Sequence, residues 1–276
     1  MPEIGIAETR NIMIVLQQKY DYDFSHYALI PFRYALDKLI LNHHIINPEL
    51  LIRRILEDDT FFDEFLFDIT KTSGELFRDP ETWELLKSTI FPQFFETFPK
   101  PKIWLPSASS GQDLFSLLIL LKIEYPEKNI TIDISSLSEK NIDRISSGQI
   151  LKTDLLSGLT NFEKVFPHTD IYSLVKHKDS DYILDYSLFQ GIHFTKQNLL
   201  FEPYPESPGM IIFRNNLLAY SPDHQNAVLD LLTSILEEGG YFITGIKENI
   251  DDFISKHNKL HLISKDEKIY KKIKYP

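Results

Sequence analysis

Over residues 8–98 apolar side chains return at spacings of three and four, as in Phe32, Leu36, Leu39 and Ile40. That is the period of helices with one buried face. No strand-like alternation interrupts it, so an all-helical segment is expected. One helix start is well marked: Asp79 can cap, Pro80 suits the first helical position and Glu81 favours the positive dipole end, while Trp83, Leu86 and Ile90 form an inward stripe. Phe98-Pro99-Lys100-Pro101 breaks the pattern, which divides the chain into a helical domain, residues 1–98, and a second domain, residues 99–276.

The second domain opens with a strand candidate at Lys102–Leu105, a turn of small residues from Pro106 to Gly111 and an apolar helix over residues 113–123. Ile130, Ile132 and Ile134 alternate with polar residues as another strand. Ser136-Leu137-Ser138-Glu139 has capping-box spacing, and Gly148 can end the helix that follows. Two strand-helix units in series predict a parallel sheet. Residues 149–192 are irregular and too long for an ordinary connection, which suggests an inserted subdomain. Regularity returns with a strand at residues 209–213, a helix starting at Ser221-Pro222-Asp223 and stopping at Gly239-Gly240, and a strand at residues 241–245. Residues 260–264 and 268–273 are spaced as an antiparallel hairpin able to close a mostly parallel sheet.

Composition narrows the function. The 276 residues are 43% hydrophobic, enough for large cores, and carry a formal net charge of -11. No overall positive field exists to attract phosphate backbones, so nucleic acid is not an expected partner. The absence of cysteine excludes disulfides, thiolate metal sites and a cysteine nucleophile. The N-terminus lacks the basic start of a signal peptide, and the longest apolar run, residues 114–123, is too short to cross a bilayer. A soluble, cytoplasmic protein with no membrane insertion is expected.

Candidate chemistry gathers at strand ends. An open α/β sheet binds ligands beyond the carboxyl ends of its strands, which makes the turn Ser107-Ala108-Ser109-Ser110-Gly111 either a pocket floor or an ordinary connection. Asp133, near the end of the second strand, reads equally as an acceptor of ribose hydroxyl bonds and as a solvated carboxylate. His43 and His44 point to different sides of a helix, and His257 and His261 lack the glutamate of H-E-x-x-H, so neither pair predicts a metal site. The serines are not in G-x-S-x-G, which removes a hydrolase elbow.

Several segments in order resemble the CheR family, chemotaxis methyltransferases that move a methyl group from S-adenosylmethionine to receptor glutamates. They are Tyr22-Asp23-Phe24-Ser25, ITKTSGELFRDP at residues 69–80, IWLPSASSGQDLFSLL at 103–118, ITIDISSLSEKNIDRISSG at 130–148, Asn198-Leu199-Leu200, FRNNLLAY at 213–220, LEEGGYFITGIKEN at 236–249 and Glu267-Lys268-Ile269-Tyr270. The resemblance implies a Rossmann-like class I methyltransferase sheet, mostly parallel with a C-terminal antiparallel hairpin, preceded by an all-helical domain.

It also implies site residues. In the family the segment matching residues 70–78 reads T-x-N-x-T-x-x-F-R and lines the cofactor pocket. Thr70, Phe77 and Arg78 are retained here, with Thr72 at the Asn and Gly74 at the second Thr. A-S-T-G-E-E is represented by Ala108, Ser109, Ser110, Gly111, Gln112 and Asp113, and Gln112 lacks the charge that a glutamate offers to the cationic end of the cofactor. Asp133 stands for the acid that holds the ribose, Asn198 and Leu199 for a pair that contacts adenosine, and Arg214-Asn215 for the family's R-N. Ala219 takes the place of the active-site tyrosine, with Tyr220 next to it. Arg78 and Tyr220 are the residues expected to orient a substrate carboxylate. The implied partner is a signalling protein or chemoreceptor-like substrate. Two functions follow: transfer of a methyl group from S-adenosylmethionine to a protein glutamate, or a catalytically degenerate relative acting as a binding or scaffold module. Changes at Thr72, Gly74, Gln112 and Ala219 are the basis of the second.

Overall fold

The computed structural model describes residues 4–70, 74–201 and 204–273. Four helices come first, α1 (Ile6–Tyr20), α2 (Leu29–Asn42), α3 (Pro48–Glu57) and α4 (Phe61–Thr70). Their apolar stripes, including Ile12, Leu16, Phe32, Leu36, Leu39, Ile40, Leu51, Ile55 and Phe65, form one closed core. Asn47 caps α3, its side chain accepting from the Leu50 N–H at 2.9 Å with Pro48 at the first helical position.

The next helical run, α5 (Pro80–Leu85) and α6 (Phe91–Thr97), is joined by a wide π turn at Leu86–Ile90. Pro92 explains that turn, because it has no N–H to return to the Ser88 carbonyl four residues earlier. Trp83, Leu86, Ile90, Phe91 and Phe94 are buried among residues of the sheet and its helices, such as Ile103 and Leu117, and not in the core of α1–α4. The hydrophobic cores therefore divide before α5, earlier than the proline break at residues 98–101. A helix joins whichever core its apolar stripe faces, and the break marks only where the chain turns.

The sheet has seven strands in the order β6-β2-β1-β7-β8-β10-β9. They are β1 (Lys102–Leu105), β2 (Thr131–Ser136), β6 (Ile192–Lys196), β7 (Met210–Phe213), β8 (Tyr241–Thr244), β9 (Leu260–Ser264) and β10 (Ile269–Lys272). The β6, β2, β1, β7 and β8 neighbours pair in parallel, and β10 pairs antiparallel with β8 and β9. β1, β7 and β8 are central and read as continuous apolar runs, since both faces are covered. β6 is an edge strand that sequence periodicity did not mark, because only its inner positions are half buried.

Helices α7 (Gln112–Glu124), α8 (Glu139–Ser146), α10 (Pro222–Ile235) and α11 (Asp251–His257) complete the layers. Between α8 and β6 lies a separate three-stranded sheet, β3 (Gln149–Ile150), β5 (Asp181–Leu184) and β4 (Val175–Lys178), together with α9 (Lys152–Val165). Among the described residues, no helix is long and apolar enough to cross a membrane.

Candidate cofactor and active site

A cavity of about 500 Å³ opens between the four-helix core and the carboxyl ends of β1, β2 and β7. Tyr27, Phe32, Tyr34, Lys38, Asp68 and Thr70 come to it from the helices. From the other side come Ser107, Ala108 and Ser109 after β1, Ser136 at the end of β2, Gln197 and Leu199 after β6, and Asn215, Asn216, Ala219 and Tyr220 after β7. A smaller cavity of about 50 Å³ shares Arg78, Ala108, Ser109, Asn215 and Asn216 with it and is lined further by Gly74, Ser110, Gly111, Gln112 and Arg214.

Each wall has a local cause. Ser107 adopts a left-handed conformation, φ +56°, and Gly111 turns the chain into α7 at φ +81°, where an added Cβ would also meet Phe115 and Ile145 at 3.0–3.1 Å. Asn141 of α8 holds the turn to the strand end by donating to the Ala108 carbonyl at 2.7 Å and to Ser136 Oγ at 2.9 Å. The loop after β7 is fixed from beneath by Glu248. This fully buried carboxylate accepts from the backbone N–H groups of Asn215 at 2.9 Å, Leu217 at 2.6 Å and Gly245 at 2.6 Å. Burial pushes its acid constant up, against those same bonds, which favour the ion.

The sequence-predicted residues are distributed unevenly over this geometry. Arg78 stands where the two cavities meet, and among the described residues no carboxylate lies within ion-pair distance of its guanidinium. Tyr220 is buried, and its ring lies 5.3 Å from that of Tyr27. Burial pushes the Tyr220 phenol up to about 12, so it is protonated at neutral pH. Ala219 sits beside it on the cavity wall. Leu199 lines the larger cavity; Asn198 caps its own turn, accepting from the Leu200 N–H at 3.4 Å, and is not among the walls. Gly74, Ala108, Ser109, Gly111 and Gln112 line the smaller cavity, whereas Thr72 lies outside the described residues.

Three expectations are corrected. Asp133 sits in mid-strand, in register with Trp104 and His193, and its carboxylate lies 3.2 Å from His193 Nδ1, outside the cavity walls. The strand runs three residues further, and Ser136 occupies the end where ribose hydroxyls are received in such folds. The reason is the helix cap. Ser138, and not Ser136, caps α8, accepting from the Asn141 N–H at 3.3 Å, and Asp63 of α4 accepts from the N–H groups of Glu139 and Lys140 at 2.9 and 2.8 Å. Finally, the Asp79 side chain does not cap α5; it accepts from Arg214 at 2.6 Å.

Arg214 itself is a clamp. Its fully buried guanidinium bonds Asp79, Asp113 at 2.8 Å and the Arg78 carbonyl at 2.8 Å, and lies 5.5 Å from the Trp83 ring centre. It borders the smaller cavity while tying together α7, the end of β7 and the Arg78-Asp79 segment.

The sequence matches the family described as CheR methyltransferase, SAM binding domain, over residues 72–267. The chain belongs to the CheR family. Among its relatives, the Pseudomonas putida protein named as the methyltransferase Cher3 is 23% identical over 96% of both chains. A chemotaxis protein methyltransferase of Listeria monocytogenes is 22% identical over 86% of this chain and 87% of its own. One from Vibrio anguillarum is 27% identical over 65% of this chain and 66% of its own. For a CheR protein the test is whether these walls suit S-adenosylmethionine, and two observations say that they do. The combined cavity has the size of a cofactor site. Gln112 Oε1 is a buried acceptor without a partner among the described residues, beside Gly74, where an added Cβ would come within 2.7 Å of it.

Sequence reasoning missed Tyr27, Lys38, Asp68, Ser136 and Glu248. Ser136 was within reach by counting back from a cap at Ser138. The helical-domain residues carry no local signal, since they meet the site only through tertiary packing.

Proposed function

We propose that this chain transfers a methyl group from S-adenosylmethionine to a glutamate carboxylate of a chemoreceptor-like signalling protein. The observation that carries it is the two-part cavity, built from a small-residue turn after β1, the end of β2 and the loop after β7, with Arg78 and Tyr220 on its walls. When bound, the cofactor supplies an electrophilic methyl group on a sulfonium.

The chain's own residues have little chemistry to perform, because a glutamate side chain is already an anion at neutral pH. Their work is alignment and exclusion of water. Arg78, with no carboxylate among the described residues within ion-pair distance, draws the incoming carboxylate and fixes its direction. Tyr220 remains protonated and takes no proton; it shapes the wall with Tyr27. Thr70, Leu199, Ser136 and the turn residues Ser107 to Ser109 hold the nucleoside, with Asp68 the one carboxylate among the described walls of the larger cavity. Asp68 lies 2.6 Å from His43 Nε2, which orients it.

Titration calorimetry with S-adenosylhomocysteine tests the cofactor reading. Micromolar binding is expected, weakened about tenfold or more in Arg78→Ala. No binding at millimolar ligand overturns it. Transfer is tested with methyl-labelled cofactor and receptor fragments, where alkali should release the label as methanol from a carboxyl ester. Base-stable label overturns the glutamate assignment.

A further inference from the structure

Gln112 opens α7 and is only 5% exposed. Its Nε2 donates to Asp154 Oδ2 at 2.5 Å. An ionised carboxylate can only accept, so the amide nitrogen faces Asp154 and the carbonyl oxygen faces the opposite way. That oxygen is buried beside Gly74 and bonded to no donor among the described residues, and Gln112 lines the smaller cavity together with Gly74, Ser110 and Gly111. Gly74 makes the arrangement possible, because a Cβ there would lie 2.6 Å from Gln112 Cδ and 2.9 Å from Ser110 Oγ. A buried acceptor left unused is costly, and its presence on a cavity wall points to a donor on a ligand.

Asp154 is placed firmly. It lies in the first turn of α9, whose Lys152 N–H donates to Asp181 of β5 at 3.0 Å. Further along α9, Gly158 is packed so closely on Leu76 that a Cβ would meet Leu76 atoms at 2.7–2.8 Å. The carboxylate also accounts for the residue it touches. A glutamate at 112 would set two carboxylates in direct contact, and one of them would have to take up a proton.

We propose that Asp154 is a positioning residue for the amino-acid end of the cofactor. It holds the Gln112 carboxamide so that Oε1 faces the smaller cavity and accepts from the α-ammonium group of S-adenosylmethionine. This rests on the cofactor reading above. A neutral acceptor, oriented by a carboxylate behind it, thus does the work of a charged side chain at position 112.

Calorimetry with two ligands tests it, S-adenosylhomocysteine and 5′-methylthioadenosine, which has the nucleoside and no amino-acid tail. Asp154→Ala is expected to weaken S-adenosylhomocysteine about tenfold and leave 5′-methylthioadenosine within about twofold of the parent protein. Asp154→Asn, which keeps the volume and lets the amide turn over, should show the same split. In the Asp154→Asn background, Gln112→Glu should recover binding of S-adenosylhomocysteine, while alone it should weaken it. Equal losses for both ligands in the two Asp154 variants, or no loss for either, overturn the proposal. If the parent protein binds 5′-methylthioadenosine and the parent and both variants bind S-adenosylhomocysteine alike, the cofactor reading stands and only Asp154 is discarded. If the parent protein binds no S-adenosylhomocysteine, both fall.

Discussion

Arg214 illustrates how residue chemistry outruns residue spacing. Its charge is satisfied by Asp79, Asp113 and a carbonyl, partners up to 136 positions away. Removing a buried partner costs more than the pair contributes, because the remaining charges lose their counterion. Asp79 and Asp113 keep 18% and 31% of their side-chain exposure, so water softens the loss. Arg214→Met is therefore expected to destabilise the protein by about 3 kcal/mol, the lower end of the range for such pairs. A melting temperature equal to that of the parent protein would show the clamp to be idle. The local pattern Asp-Pro-Glu was a sound helix-start signal, and α5 does begin at Pro80. What it lacked was the distant cation that takes the aspartate's side chain.

At the scale of elements, the seam between the helices and the sheet is drawn by short contacts. Ala28 N–H donates to the Ala219 carbonyl at 2.8 Å, and Ser221 N–H donates to that of His26 at 2.9 Å. The His26 and His224 rings lie 4.2 Å apart, and Ser221 Oγ is 2.7 Å from His224 Nδ1. Burial and then the His224 charge hold His26 below its usual acid constant of 6.5, against the opposing pull of Asp23. A base depressed by folding is favoured neutral in the native state. Its contribution to stability is full above pH 6.5 and is lost as pH falls from there towards the lowered value. Melting temperature should thus decline as pH falls below 6.5. His26→Asn should flatten the decline; an unchanged slope would remove His26 as its source.

At the scale of the whole molecule, the cavity lies between the two cores, so a ligand filling it binds both sides and only the folded state. S-adenosylhomocysteine at a hundredfold its dissociation constant should add about 2.7 kcal/mol to stability. A thermal shift rising with the logarithm of ligand concentration would show this, and no shift at saturating ligand would contradict it.

The sequence by itself determined the parallel sheet, the helices before it, the antiparallel hairpin at its edge and the small-residue turn after β1. Hydrophobic period, caps and glycines are local quantities, set by neighbours a few positions away. Tertiary structure alone decided that Ser136 and not Asp133 ends β2 at the cavity, and that Asp79 answers Arg214. It also decided that Gln112 donates to Asp154 across 42 positions and that α5 and α6 join the sheet's core. Those outcomes depend on which burial and charge pairings are jointly satisfied when the layers close, and no short stretch of chain contains that information.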